Sequence, residues 1–196
     1  MLASITPLGE RGRHSRWGIT VSAFLVGATI AGVALGALAG ELGALLLPGS
    51  VDLGTRLAAL AAVALLAVAL DALGERVPGP HRQVNEDWLR AFRGWVYGLG
   101  YGAQLGFGIT TVITSAALYV AVVAAVATGQ VALGALVLGC FGAVRGLTVL
   151  SAGGVQRPEE LIALHARLRR WRDPARAAGV ATVGAITAAA IIGALS

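Results

Sequence analysis

The sequence predicts an all-α fold: a polytopic helical membrane protein of about five transmembrane helices, with two amphipathic helices at the interface. Three observations carry this. Of the 196 residues, 57% are hydrophobic and only 13% charged. That is about half the charged share of a soluble domain, too little to cover a water-facing surface. The apolar residues gather into runs long enough to cross a bilayer. The charged residues gather between those runs, and all basic ones are arginines, as in cytoplasmic membrane loops. The length suits a single transmembrane domain over 1–196.

The first run, 18–40, carries no charge and follows Arg11, Arg13, Arg16 and Trp17. It is long for a cleaved signal and is expected to stay as the first helix. Pro48-Gly49-Ser50 supplies a turn. The second run, 53–73, has Arg56 and Asp71 near its ends, from where both reach headgroups. Asp71 is alternatively a proton carrier. In the polar segment that follows, Val84, Trp88, Leu89, Phe92 and Trp95 share one helical face opposite Arg82, Glu86, Asp87 and Arg90. An interfacial helix over 82–93 is expected.

From Gly94 to Val144, 51 residues carry no charge, roughly 76 Å of helix. Two crossings fit, turning at Thr128-Gly129-Gln130: a third helix at 95–128 and a fourth at 131–151. Six glycines between 94 and 108 predict a kink or unwound stretch in the third. A second interfacial helix, 158–172, opens with Pro158, Glu159 and Glu160 and closes with four arginines, which suits the helix dipole. Its stripe is Leu161, Leu164, Leu168 and Trp171. The last crossing is 177–195.

With five crossings and the N-terminus in the cytoplasm, all three basic segments lie inside, and all four Trp anchor the inner interface. A sixth crossing, made by a break near Gly108, would separate two basic segments across the membrane. Arginine as the sole basic residue, with Ala, Gly, Leu and Val in excess, indicates a GC-rich bacterial genome and the bacterial cytoplasmic (inner) membrane. Gly18-Ile19-Thr20 and Gly108-Ile109-Thr110 open similar runs, either a degenerate duplication or a coincidence of composition.

Residues for a binding role come from the polar positions within the apolar runs. Arg145 is the one charge between 94 and 156. A guanidinium at mid-helix costs about 2.5–3.5 kcal/mol or more, so Arg145 either snorkels or pairs with a neighbour or an anionic ligand. Gln104, Gly108, Thr111, Ser115 and Tyr119 recur at helical spacing, forming either interhelical glue or a solute-lining stripe completed by Arg145. Gly32, Gly36 and Gly40, then Gly98, Gly102 and Gly106, then Gly142 and Gly146 place small residues on one helix face for close packing.

The stretch Phe141-Gly142-Ala143-Val144-Arg145-Gly146-Leu147-Thr148-Val149-Leu150, after Gly106-Phe107-Gly108, resembles the CcdA/DsbD-like cytochrome c biogenesis and thiol–disulfide interchange membrane proteins over 94–195. The resemblance implies a kinked-helix membrane fold. Electron-carrying members place a Cys-Pro-type element in each of two kinked helices. Here Thr20-Val21-Ser22-Ala23 and Ile109-Thr110-Thr111-Val112 stand there, and Cys140 is the lone cysteine. A thiol relay needs an attacking and a resolving sulfur, so that activity is not implied.

No Walker, His-Glu-x-x-His, nucleophile-elbow or haem-attachment motif occurs. The three histidines lie in separate polar segments. No enzyme activity, metal or cofactor is expected. Expected partners are membrane lipids, with other membrane subunits or a homo-oligomer, and no nucleic acid. The expected function is a transporter-like relative of the CcdA/DsbD group that moves or binds a small solute. The alternative is a non-catalytic structural or assembly subunit of a larger membrane complex.

Overall fold

A computed structural model describes residues 5–47, 51–73, 87–108 and 115–195, apart from the side chain of Arg90. Every regular element among them is helical. Helix α1 (Pro7–Gly12) begins with Thr6 accepting from the Gly9 amide at 3.0 Å. Helix α2 (Trp17–Leu46) runs past the expected end at 40, since no proline interrupts the chain before Pro48. Helix α3 (Leu53–Leu73) starts at Asp52, whose carboxylate accepts from the Thr55 amide and hydroxyl.

Two expected elements differ. The interfacial helix at 82–93 is, within the described residues, the single turn α4 (Trp88–Ala91), ended by extended Phe92; residues 82–86 lie outside them. The helix expected over 95–128 is two helices, α5 (Gly94–Phe107) and α6 (Ala117–Thr128). Gly108, at φ 66°, ends α5 in the left-handed conformation that glycine adopts without penalty. Gly18 lies inside α2 whereas Gly108 ends α5, so the two similar runs do not open alike.

Helix α7 (Val131–Gly146) tightens into a 3-10 segment at Leu147–Ala152. Helix α8 (Pro158–Arg170) is followed by α9 (Arg172–Leu195), which starts before the expected 177. Asp173 and Pro174 suit a first turn, one by its charge and the other by lacking an amide that would go unpaired. Among the described residues, α2, α3, α7 with its 3-10 extension, and α9 are long and apolar enough to cross a membrane. The crossing expected at 95–128 consists of helices of roughly 21 and 18 Å, each shorter than the hydrocarbon core. The chain is a helical, multi-pass membrane protein.

The residues divide into two units, with α2 and α7 contributing to both. The first holds Met1–Gly32, His81–Val112 and Gly139–Arg172. Its centre is Ala28 on α2, fully buried. A Cβ on Gly106 would come within 2.3 Å of the Ala28 carbonyl oxygen, and one on Gly142 within 2.6 Å. Helices α2, α5 and α7 thus meet backbone to backbone, the close approach that lets packing drive association in lipid. Towards the start of α2 the core widens to Val21, Phe24, Tyr97, Tyr101 and Val149. Trp17 donates to the Ile5 carbonyl and Trp88 stacks on Tyr101, so these two tryptophans pack within the unit rather than serving only as interface anchors. On α8, Leu164 is buried against Ala152 and Val155, while Leu168 and, just past the helix, Trp171 stay exposed.

The second unit holds Val33–Pro80, Ile113–Leu138 and Asp173–Ser196. Leu60, Ala61, Ala64 and Ala67 of α3 pack with Val120 of α6 and with Val183 and Ala190 of α9. Gly36 and Gly40 meet the carbonyls of Gly134 and Gln130 at similarly close range.

Candidate functional site

In the first unit the chain folds a carboxylate into the helix bundle. Residues 5–16 lie against α2 and α5: Ile5 is buried with Val21, Phe24 and Tyr97, and the Leu8 amide donates to the Val155 carbonyl ahead of α8. This places Glu10 with its side chain fully buried. Its Oε2 accepts from the Thr20 hydroxyl at 2.7 Å, and its Oε1 accepts from Arg13 Nη2 at 2.8 Å and from the Tyr97 hydroxyl. Arg13 Nε also donates to the Tyr97 oxygen at 3.3 Å. Burial works against the Arg13 guanidinium, but its bonds to Glu10 and Tyr97 outweigh that and hold its pKa above the ordinary arginine value.

A buried carboxylate costs several kcal/mol unless paired and hydrogen-bonded, and here both oxygens have donors. Gly94 makes the approach possible, since a Cβ there would lie 2.5 Å from Thr20 Oγ1. The cluster ties the N-terminal segment to two helices. Sequence inspection missed it; the local signal was Glu10 and Arg13 at i,i+3 across the end of α1.

In the second unit the polar side chains serve helix ends. Asp71 accepts from Ser115 Oγ at 2.7 Å and from the Ala116 amide at 3.0 Å, while Ser115 Oγ accepts from the Ala117 amide. A carboxylate thus sits at the start of α6, where the helix dipole favours it. Asp71 therefore does not simply reach headgroups, because its oxygens also accept from Ser115 and from the amide at the start of α6. Arg56 likewise does not simply reach headgroups. It donates to the carbonyls of Leu47 and Ala127, at the ends of α2 and α6, and to that of Val51 just before α3. Arg176 donates to the carbonyls of Asp71 and Ala72 at the end of α3.

Arg145, half-buried in the first unit, donates from Nη1 to the Leu105 carbonyl at 3.3 Å, in the last turn of α5. The expected stripe of Gln104, Gly108, Thr111, Ser115 and Tyr119 is not one helical face. Gln104 is in α5, Gly108 ends that helix, and Ser115 and Tyr119 belong to the start of α6; Thr111 lies outside the described residues. A shared face requires unbroken 3.6-residue periodicity, which the left-handed Gly108 interrupts. Of the small residues, Gly98, Gly102 and Gly106 face the Thr20, Phe24 and Ala28 carbonyls, and Gly146 faces Leu25 and Ala28. Gly32 lies against Gly142.

Compared with known proteins, the chain matches no family model and no solved structure. It is 38% identical over 129 residues to the methylamine utilization protein MauF of Paracoccus versutus. The match takes in 64% of this chain and 45% of that protein, so the chain spans less than half the length of the curated relative it matches. The similarity and the apolar helices agree on an integral membrane protein.

Proposed function

We propose that this chain is a non-catalytic accessory protein of a bacterial inner membrane, a structural or assembly subunit of a larger membrane complex that serves amine utilization. One observation carries the proposal. Asp71, Ser115, Arg56, Arg145 and Arg176, polar groups that would otherwise line a solute path, bind backbone groups at helix ends. Such bonds satisfy backbone groups that helix ends leave without an intrahelical partner. The link to amine utilization rests on the similarity to the methylamine utilization protein. The N-terminus is assigned to the cytoplasm because Arg11, Arg13 and Arg16 precede the first crossing.

A second reading is a transporter-like, cysteine-poor relative of the CcdA/DsbD group. The break at Gly108 favours it, because discontinuous helices form solute sites in many transporters. Complementation separates the two. A strain lacking the chain is supplied with a Gln104→Leu variant that accumulates to normal levels, and growth on methylamine is measured. The accessory role predicts growth equal to wild type. Lost growth at normal protein level would establish the path instead.

A further inference from the structure

Outside the Glu10 cluster, the first unit opens into a cleft of about 580 Å³ at the start of α2. Its walls differ in character: His14, Arg16 and Arg93 supply the polar side, and Ile19, Phe92 and Trp95 the apolar side. Arg13 also lines it but is neutralised by Glu10. Among the described residues, no carboxylate forms an ion pair with Arg16 or Arg93. The apolar wall is open: Ile19 is 53% exposed, Phe92 48% and Trp95 52%. Phe92 is held edge-on against Trp88, with ring centroids 5.6 Å apart.

The conformation of His14 adds an independent observation. It sits at φ 54°, the one non-glycine residue with positive φ among those described. Helix α1 ends there in a Schellman arrangement: the Ser15 amide donates to the Glu10 carbonyl and the His14 amide to the Arg11 carbonyl. Glycine is the residue that position favours. A histidine there accepts backbone strain while lining the cleft, and strain held in place is a mark of binding sites.

We infer that this cleft binds the headgroup of an acidic phospholipid, its phosphate between Arg16, Arg93 and His14 and its acyl chains along Ile19, Phe92 and Trp95. The position fits, because Arg16 immediately precedes a helix long enough to cross the bilayer, which puts the cleft at headgroup depth. The chemistry fits too: guanidinium groups pair with phosphate oxygens in planar geometry, and the exposed apolar wall continues into hydrocarbon. This assignment is independent of the proposed accessory role.

The test uses the full-length protein in neutral detergent, titrated with phosphatidylglycerol, phosphatidylcholine or inorganic phosphate, with binding read by native mass spectrometry and thermal unfolding. Phosphatidylglycerol is expected to bind selectively and raise Tm. The double variant Arg16→Gln, Arg93→Gln should weaken it roughly ten- to thirty-fold, two basic contacts at a factor of about five each. The control Arg167→Gln, Arg169→Gln, which removes as much charge from exposed positions on α8, should leave affinity within about two-fold.

His14→Gly should raise the lipid-free Tm by about 2–4 °C by relieving strain while shrinking the lipid-induced rise. That split shows that the variant is folded. The assignment fails if both double variants weaken binding equally, since the attraction would then be diffuse. It also fails if inorganic phosphate reproduces the effect of the lipid, or if phosphatidylglycerol does not bind.

Discussion

Substituting Gly102 with alanine probes the packing on which the first unit rests. The added Cβ would lie 2.0 Å from the Phe24 carbonyl oxygen, 2.8 Å from the Phe24 carbonyl carbon and 3.0 Å from the Ala28 amide nitrogen. All three are backbone atoms, so no rotamer change relieves the clash, and α2 and α5 must move apart by roughly 1 Å or more to restore ordinary contact. Separation loosens the neighbouring contacts at Gly98 and Gly106 and draws Tyr97 away from Glu10. Overpacking alone costs about 1–3 kcal/mol, and the better helix propensity of alanine offsets up to about 1 kcal/mol.

With the loosened neighbours included, a net loss of about 2–3 kcal/mol is expected. Gly184→Ala is the control, since nothing lies within 4 Å of its added methyl group; it should be neutral or stabilising by up to about 1 kcal/mol. Reversible unfolding in mixed micelles, followed by tryptophan fluorescence, reads both. Gly102→Ala unfolding at the wild-type midpoint would refute the backbone contact between α2 and α5.

Other substitutions test the polar anchors. Glu10→Gln removes the charge that Arg13 faces while keeping the shape, and should cost about 2–4 kcal/mol in the same unfolding assay, with residues 5–16 gaining protease sensitivity. Arg56→Ala deletes donors to three carbonyls, two of them at helix ends, and a loss of about 2 kcal/mol is expected from the unfolding midpoint. At the start of α8, Glu160 accepts from the Gln156 and Arg157 amides, which hold its carboxyl below the usual range. A depressed folded-state pKa stabilises above the unfolded value and is lost as pH falls through the folded one. Acidification from about pH 5 to pH 3 should therefore shift the amide resonances of Gln156 and Arg157, and Glu160→Gln should abolish that shift.

The long apolar runs were legible in sequence because crossing a bilayer sets a length requirement that composition alone can meet. The starts of α3 and α8 were legible for a similar reason, since chain breakers and charge order act locally. The break at Gly108 was only half visible. Six glycines between 94 and 108 announced weakness there, but which one turns left-handed depends on neighbouring helices. The Glu10 cluster escaped because Tyr97 lies 87 residues away and no periodicity links them. Arg56, Arg145 and Arg176 were visible as charges, yet their partners are main-chain carbonyls, and a carbonyl leaves no mark on residue identity. The polar stripe was inferred from spacing that presumes an unbroken helix, and failed where that presumption failed.

The accessory role is tested most directly by extracting the chain gently from its native membrane and determining by mass spectrometry what accompanies it in fixed ratio. A stoichiometric set of other membrane subunits is the expected result. Recovery as a lone monomer or a homo-oligomer that moves a small solute when reconstituted would contradict it.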